Sequence, residues 1–178
     1  MDFTIRAAAR ADAPAVCDVV RRSITELCHD DHLGDAETLA QWLADKTPDR
    51  FERLIDSGRH VARVAVRAGA GAGGAGVGAG DVVGFGALNL DGTISLLYVA
   101  PEARWCGVSK ALLAELEDEA RRAGIRRITL ESSRTALRFY DAAGYLPAGD
   151  PIPGCGISWG FPRTRRLEDA AESPGETT

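Results

Sequence analysis

The segment ISLLYVAPEARWCGVSKALLAEL, residues 94–116, constrains the fold most, because it joins a strand to a helix through a loop of unusual charge. An apolar run ends at Val99, and Pro101 stops it. Beyond the loop, apolar residues recur with helical spacing at Val108, Leu112, Leu113, Leu116 and Ala120. The pattern predicts a helix over about residues 108–123 that packs one face on a sheet. The acids at 115 and 117–119 are expected to face solvent.

The start of this helix contains no acidic residue. Helix N-termini usually carry Asp or Glu, because their free N–H groups hold partial positive charge. Here residues 104–114 include no acid, and Arg104 and Lys110 add positive charge, while Gly107 and Ser109 leave room for a bulky group. The pattern favours a phosphate or pyrophosphate at the helix start, with an ordinary solvated helix start as the alternative. Neither a Walker loop nor a G-x-G-x-x-G fingerprint is present at this helix start.

Other segments alternate between strand and helix periodicity. Strands are predicted at about 3–7, 61–66, 82–90, 93–99, 126–131, 145–149 and 156–162. Helices are predicted from Asp12, as a cap, to Leu27, then over 36–44, around 51–55, and over 108–123 and 134–143. Residues 28–34 break the helical pattern. Strands interrupted by helices indicate an α+β or mixed α/β sheet with helices on both faces.

Composition limits the alternatives. The 178 residues suffice for one domain. A net charge of −5 argues against a nucleic-acid partner, since phosphate neutralisation needs a basic surface. Four cysteines without C-x-x-C spacing are expected to be free thiols. The absence of a long apolar run and of a secretion signal at the start predicts a cytoplasmic protein that does not span a membrane.

Two segments have too few apolar residues to form a core. Residues 68–80 read AGAGAGGAGVGAG and predict a flexible hairpin loop, with a substrate lid as the alternative. Residues 168–178 are polar and contain Pro and Gly, so they are expected to be a disordered tail. A single domain is therefore expected over residues 1–167.

Two motifs together resemble the GNAT superfamily of N-acetyltransferases. Its acetyl-CoA-binding pattern is [RQ]-x-x-G-x-[GA], and Arg104, Gly107 and Ser109 fall on the three defined positions, with serine replacing the last Gly or Ala. Trp105 stands where the family usually has a small residue. Downstream, residues 136–145, ALRFYDAAGY, look like the family's A-x-x-[FL]-Y-x-x-x-G-[FY] helix and turn. The resemblance extends over about residues 3–165.

The resemblance implies a fold, an activity and a co-substrate. The expected fold is a mixed, mostly antiparallel twisted sheet of about seven strands with helices on both faces. The implied activity is direct transfer of acetyl from acetyl-CoA to a primary amine of a small molecule or peptide. A non-catalytic acyl-CoA-binding regulatory domain is the alternative. Similar proteins are often dimers, so a homodimer is compatible with the resemblance.

The resemblance also assigns cofactor residues. The backbone of Leu97 and Val99 is expected to pair with the pantetheine arm like a short strand. Ser133 stands where many relatives have an Asn that contacts pantetheine. The pyrophosphate is expected to bind backbone amides of the loop and helix start, namely those of Arg104, Cys106, Gly107, Val108, Ser109 and Lys110.

Tyr140 matches the family tyrosine that protonates the departing thiolate. A phenol with a pKa near 10 stays protonated at neutral pH and can donate that proton. A buried structural tyrosine is the alternative.

The acceptor amine also needs a partner. Deprotonating an alkyl amine at pH 7 costs roughly 4–5 kcal/mol, yet strand 93–99 holds no carboxylate or histidine. The candidates that the resemblance places on the acceptor side are Glu26, His29, Asp30, Asp31 and His32. A plain solvated loop is the alternative for these residues. If the loop borders the acceptor site, the acids at 30, 31, 35 and 37 would favour a cationic acceptor. A metal site at Cys28 and His32 is not expected, because no second ligand cluster exists.

Overall fold

A computed structural model describes residues 1–68, 82–153 and 159–167 of the chain. The helices are α1 (Ala13–Leu27), α2 (His29–His32), α3 (Ala36–Leu43), α4 (Pro48–Asp56), α5 (Val108–Arg122) and α6 (Leu137–Ala142). The strands are β1 (Phe3–Ala7), β2 (His60–Arg67), β3 (Val82–Asn89), β4 (Thr93–Val99), β5 (Arg127–Ser132), β6 (Leu146–Pro147) and β7 (Phe161–Arg166). Apart from Ala68, the predicted loop at 68–80 lies outside the described residues, as do residues 156–158 and the tail 168–178.

The strands form a single seven-stranded sheet in the order β1-β2-β3-β4-β5-β7-β6. Every pairing is antiparallel except that of β4 with β5, which is parallel. Helix α1 packs on β3 and β4, α4 packs on β2, and α5 packs on β2, β3 and β4. The predicted mixed, mostly antiparallel sheet with helices is therefore confirmed.

Sequence periodicity misplaced the last strand and missed a helical turn. The strand expected at 156–162 is found at Phe161–Arg166, because β7 reads FPRTRR and has almost no apolar alternation. It is placed by its antiparallel register on β5, in which Ser132 faces Phe161. Within residues 28–34 the chain forms the short helix α2, which ends at Leu33 in the left-handed conformation.

Two glycines on β3 let α5 approach the sheet closely. A Cβ on Gly84 would lie 2.8 Å from Val108 and 2.9 Å from Leu112, and a Cβ on Gly86 would lie 3.0 Å from Leu116. Such distances are well below ordinary packing contacts. The absence of side chains at these two positions therefore fixes the first turn of α5 close to the sheet, beside the end of β4.

Asp12 was expected to cap α1, but its side chain makes no capping hydrogen bond to that helix. Instead its carboxylate accepts two hydrogen bonds from Arg6, at 2.7 and 2.8 Å, and one from the N–H of Ala9. Burial raises the pKa of Asp12, but the bonds from Arg6 and Ala9 outweigh it and hold the pKa below its ordinary value. Asp12 therefore ties β1 to the start of α1.

The substitution Asp12→Asn should lower the free energy of unfolding at pH 7 by about 1–2 kcal/mol, because it removes charged hydrogen bonds. A carboxyl whose folded pKa is depressed stabilises the fold above its unfolded pKa of about 3.9 and loses that contribution as the pH falls. Urea unfolding of both proteins between pH 3 and 7 should show the difference shrinking towards acid. A difference that stays constant would contradict this role.

Glu117 was expected to face solvent, but it is buried. Its carboxylate accepts hydrogen bonds from Arg165 at 2.8 and 3.0 Å and from the hydroxyl of Tyr145 at 3.0 Å. Helical spacing alone could not reveal this, since the partners come from β7 and from the turn after α6. Glu117 joins three separate segments.

Within the described ranges, no helix is long and apolar enough to cross a membrane. Cys17, Cys28 and Cys106 are free thiols, and Cys155 lies outside those ranges.

Candidate active site

The sheet opens between β4 and β5. The two strands pair only at Thr93 with Thr129 and at Ile94 with Leu130. Beyond Ile94 the rest of β4 has no ladder partner on that side among the described strands, so its backbone groups line an opening. A free strand edge is a surface to which an extended amide-bearing chain can add.

A bulge on β4 lies at the mouth of this opening. On the β3 side, Ile94 pairs with Leu88 and Leu96 pairs with Ala87, so Ser95 is the extra residue. The hydroxyl of Ser95 donates to the carbonyl of Ala87 at 3.3 Å. A bulge bends its strand and re-aims the side chains that follow, and this one lies where β4 stops pairing with β5.

Two cavities occupy the opening. The larger cavity, of about 400 Å³, is bounded by β4, the start of α5, the 133–136 loop and α6. It is lined by nine of the predicted cofactor and catalytic residues, namely Leu97, Val99, Arg104, Gly107, Val108, Ser109, Lys110, Ser133 and Tyr140. Cys106, the tenth, is not among its lining residues.

The start of α5 points free amides at the larger cavity. Gly107 precedes the helix with a φ of +82°, which glycine tolerates best, and the first turn has no acid. The N–H groups of Gly107, Val108, Ser109 and Lys110 donate to no other group in the described part of the chain. The amides of Arg104 and Cys106 differ, because they donate to the carbonyls of Pro101 and Ala103 at 3.2 and 3.3 Å. Four of the six amides expected to hold pyrophosphate are thus unoccupied.

Trp105 borders the same cavity in an uncommon conformation. Its φ is +66°, and its side chain is 88% exposed. The guanidinium of Arg104 lies 4.9 Å from the centre of its ring, within the range of a cation–π contact. A bulky residue held at positive φ is strained, and strain of this kind clusters at functional sites.

Tyr140 lies where the two cavities meet. It is buried, and burial raises the pKa of its hydroxyl, so the phenol remains protonated at neutral pH. Its ring contacts those of Phe139 and Tyr145 edge to face, with centres 5.1 and 5.5 Å away. Its position combines a protonated donor with access to both cavities.

Sequence reasoning missed Tyr98, which also lines both cavities. Burial, reinforced by the neighbouring Cys28 and Tyr140, raises the pKa of its hydroxyl. The bulge at Ser95 reverses the alternation of β4, so simple period-two reading could not show that Tyr98 faces the opening. The sequence held one indication that Tyr98 lies at the site, namely that it directly precedes Val99, whose backbone was expected to pair with pantetheine.

Cys28 lines the larger cavity as well. Burial raises the pKa of its thiol to about 12, so it is a neutral thiol and a poor nucleophile at neutral pH.

Asp31 holds the 133–136 loop in place. Its carboxylate accepts hydrogen bonds from the N–H of Arg134 at 2.6 Å and from the N–H and hydroxyl of Thr135 at 3.2 and 2.6 Å. The adjacent Ser133 accepts from the N–H of Ala136 through its hydroxyl, at 3.3 Å. Asp31 thereby fixes the loop that carries Ser133 and leads into α6.

None of the five predicted acceptor residues, Asp31 included, lines either cavity. Glu26 pairs on the surface with Arg22 at 3.3 Å, and Asp30 is exposed. His29 stacks on His32 with ring centres 5.6 Å apart, and Nδ1 of the buried His32 accepts from the N–H of Gly34. The contacts of His29 and His32 therefore lie within the short helix α2 and the turn that follows it.

The smaller cavity, of about 240 Å³, lies beside the first and shares Leu97, Tyr98, Ser133, Ala136 and Tyr140 with it. Its charged lining comes from two places. Asp45, Lys46 and Arg50 belong to α4 and the turn before it, and Glu131 belongs to β5. None of these four was predicted from the sequence, because only the tertiary fold brings the turn over the sheet.

No group of three or more His, Cys, Asp or Glu side chains that could hold a metal occurs in the described ranges.

Comparison with known proteins agrees with this geometry. The acetyltransferase (GNAT) domain profile matches residues 76–160. The chain is 30% identical over 121 residues to the IAA acetyltransferase of Azospirillum brasilense, a match that covers 64% of this chain and 75% of that protein. Among solved structures, a GCN5-related N-acetyltransferase from Rhodopseudomonas palustris has a TM-score of 0.76 at 24% identity, covering 94% of this chain and 97% of that one.

The PaiA N-acetyltransferase of Thermoplasma acidophilum, solved in complex with coenzyme A, has a TM-score of 0.71 at 18% identity, covering 94% of this chain and 100% of that one. These likenesses extend over almost the whole chain and share the sheet described above. Together with the curated relative, three-quarters of whose length is matched, they establish that this chain belongs to the GNAT acetyltransferase family.

Proposed function

We propose that the protein is an acetyl-CoA-dependent N-acetyltransferase that transfers acetyl directly to a primary amine. The observation that carries this proposal is the meeting of two cavities at Tyr140, in the opening between β4 and β5. One cavity has the free amides that a pyrophosphate needs, and the other has charged groups suited to an acceptor. Relatives crystallised with coenzyme A or acetyl-CoA support the choice of co-substrate.

Different residues of the larger cavity would bind different parts of the cofactor. The amides of Gly107, Val108, Ser109 and Lys110 would bind the pyrophosphate, aided by the positive end of α5. The unpaired edge of β4 at Leu97 and Val99 would hold the pantetheine amides, opposite Ser133. Acetyl-CoA supplies the thioester when bound.

Tyr140 then acts on the leaving sulfur. As the amine nitrogen bonds to the acetyl carbon and the carbon–sulfur bond breaks, the Tyr140 hydroxyl gives its proton to sulfur, and the proton released by the amine restores it. Burial favours this role, because an unprotonated thiolate is costly in a site shielded from water.

Direct transfer needs no enzyme nucleophile, and the chain offers a poor one. The thiol of Cys28, which lines the larger cavity, has a pKa raised to about 12. Its thiolate fraction at neutral pH is negligible, which argues against an acetyl-cysteine intermediate.

A non-catalytic acyl-CoA-binding domain is the second candidate. The departures from the family pattern at Trp105, Ser109 and Ser133 favour it, because each lies at the cofactor cavity. Thiol release separates the two proposals. Affinity for coenzyme A without thiol release across a broad amine panel would support the regulatory domain.

Cofactor binding can be tested with matched glycine variants at the two ends of α5. Gly107 and Gly124 have φ of +82° and +73°, and a Cβ added at either position would have no neighbouring atom within 4 Å. Alanine at either position should therefore lower stability by a similar amount, about 1–2 kcal/mol. Only Gly107→Ala places a methyl group beside the free amides, and it should weaken coenzyme A binding at least fivefold by calorimetry. Equal affinities for the two variants would contradict the assigned pyrophosphate site.

A further inference from the structure

The smaller cavity carries charges of opposite sign on its two sides. On the helical side, Asp45 forms ion pairs with both Lys46 and Arg50. Two cations and one carboxylate leave this side with a net charge of about +1. On the sheet side, Glu131 has no ion-pair partner in the described part of the chain, and this side is negative.

On the cationic side, the lysine is buried and its backbone is fixed by hydrogen bonds. The side chain of Lys46 is only 9% exposed, which is rare for an ammonium. Its backbone is clamped, because the carbonyl of Lys46 accepts from Arg21 at 3.1 Å and from the thiol of Cys17 at 3.2 Å. Arg21 also binds the carbonyl of Leu43 at 2.9 Å, which closes the end of α3 onto the turn.

Both cations keep donors for a further anion. Asp45 uses one oxygen for Lys46 and the other for Arg50. An ammonium has three N–H donors and a guanidinium has five, so most donors of this pair remain free for a ligand. A carboxylate fits such a paired lysine and arginine better than a neutral group, because charge-assisted hydrogen bonds are the stronger ones.

The acidic side is an exposed carboxylate that lies against β7's end of the sheet. Glu131 packs over Gly160, where a Cβ would overlap its carboxylate. Gly160 is itself fixed by two backbone hydrogen bonds with Ile152, at 2.9 and 2.7 Å. Glu131 lies two residues before Ser133, which lines both cavities.

We infer that the acceptor is a small amino acid, whose carboxylate binds Lys46 and Arg50 and whose amine lies on the Glu131 side near Tyr140. This inference rests on the proposed acetyltransferase function. The cavity of about 240 Å³ is below the roughly 300–1,000 Å³ usual for small-molecule sites, which favours a small acceptor. A peptide N-terminus fits less well, because the α-carboxyl group of its first residue forms a peptide bond and carries no charge.

The test compares acceptors that differ only in their carboxylate. Thiol release at saturating acetyl-CoA is measured for alanine against alaninamide and for 4-aminobutanoate against butylamine. Alaninamide has the less basic amine, so a larger fraction of it is unprotonated at neutral pH and basicity alone would favour it over alanine. A preference for alanine therefore cannot arise from amine basicity. We expect kcat/KM at least tenfold higher for the carboxylate-bearing member of each pair.

Two variants assign that preference to the cationic side. Lys46→Met and Arg50→Met should each shrink the preference at least fivefold, and the exposed Arg50 can be replaced without disturbing the core. Arg53→Met is the matched control, since it removes the same charge from an exposed position on α4 that does not line the cavity. It should leave the preference as in the wild type.

The outcomes separate the two proposals. Thiol release without a preference for carboxylate-bearing amines, or a preference that survives both variants, would overturn the amino-acid inference and leave the acetyltransferase function standing. No thiol release from any amine, with coenzyme A still bound, would overturn both.

Discussion

Replacing Tyr140 with phenylalanine should lower kcat for acetyl transfer by about 10- to 100-fold and leave the Kd for acetyl-CoA within about twofold. The change removes the hydroxyl proposed to protonate the leaving sulfur, and positioned proton donors typically contribute rate factors of about 100 or more. The ring and its edge-to-face contacts with Phe139 and Tyr145 remain, so the cavity keeps its shape. An assay of thiol release measures kcat, and calorimetry separately measures the Kd for acetyl-CoA.

Tyr98→Phe is the matched control, because Tyr98 lines both cavities and its hydroxyl is also buried and protonated. If Tyr140 is the donor, this variant should retain most of the wild-type kcat. A large loss with Tyr98→Phe and none with Tyr140→Phe would move the proton donor to β4. An unchanged kcat in both would remove tyrosine from the mechanism.

The sequence was most informative where function depends on local structure. The amides of Gly107 and its successors are free because a helix start leaves its first N–H groups unpaired and no acid in the first turn caps them, and both features can be read from the sequence. The seven-stranded sheet was also predictable, since the family that the two motifs resemble has this fold. Local patterns thus identified nine of the residues that line the larger cavity, although they missed Tyr98.

The acceptor side could not be read in the same way. Glu131 is more than 80 residues from Lys46 and Arg50 in the sequence, and only the tertiary fold brings the three residues to one cavity. The predicted candidates near the end of α1 looked equally polar, yet Asp31 is hydrogen-bonded to the backbone of Arg134. A titratable residue in a loop does not reveal whether its partner is a substrate or another segment of the same chain.

Glu117 is a second titratable residue whose partners the sequence did not reveal, and these partners stabilise the fold. Its replacement should cause the largest loss in the free energy of unfolding among the variants proposed. Glu117→Gln keeps the shape of the side chain but removes the charge that pairs with Arg165 and accepts from Tyr145. Breaking one partner of a fully buried ion pair costs about 3–5 kcal/mol. Because the Arg165 side chain is 34% exposed and can regain water, a loss of about 2–3 kcal/mol is expected here.

For a domain of this size, such a loss lowers Tm by about 5–10 °C. Asp118→Asn is the matched control on the same helix, since Asp118 is 55% exposed and, among the residues that the structure describes, pairs only with Arg121. It should change the free energy of unfolding by less than about 1 kcal/mol, as exposed pairs do. Equal effects of the two variants in urea unfolding would mean that the Glu117 cluster does not stabilise the fold. A selective loss would show that α5, whose start binds the cofactor in our proposal, is held to β7 by this buried carboxylate.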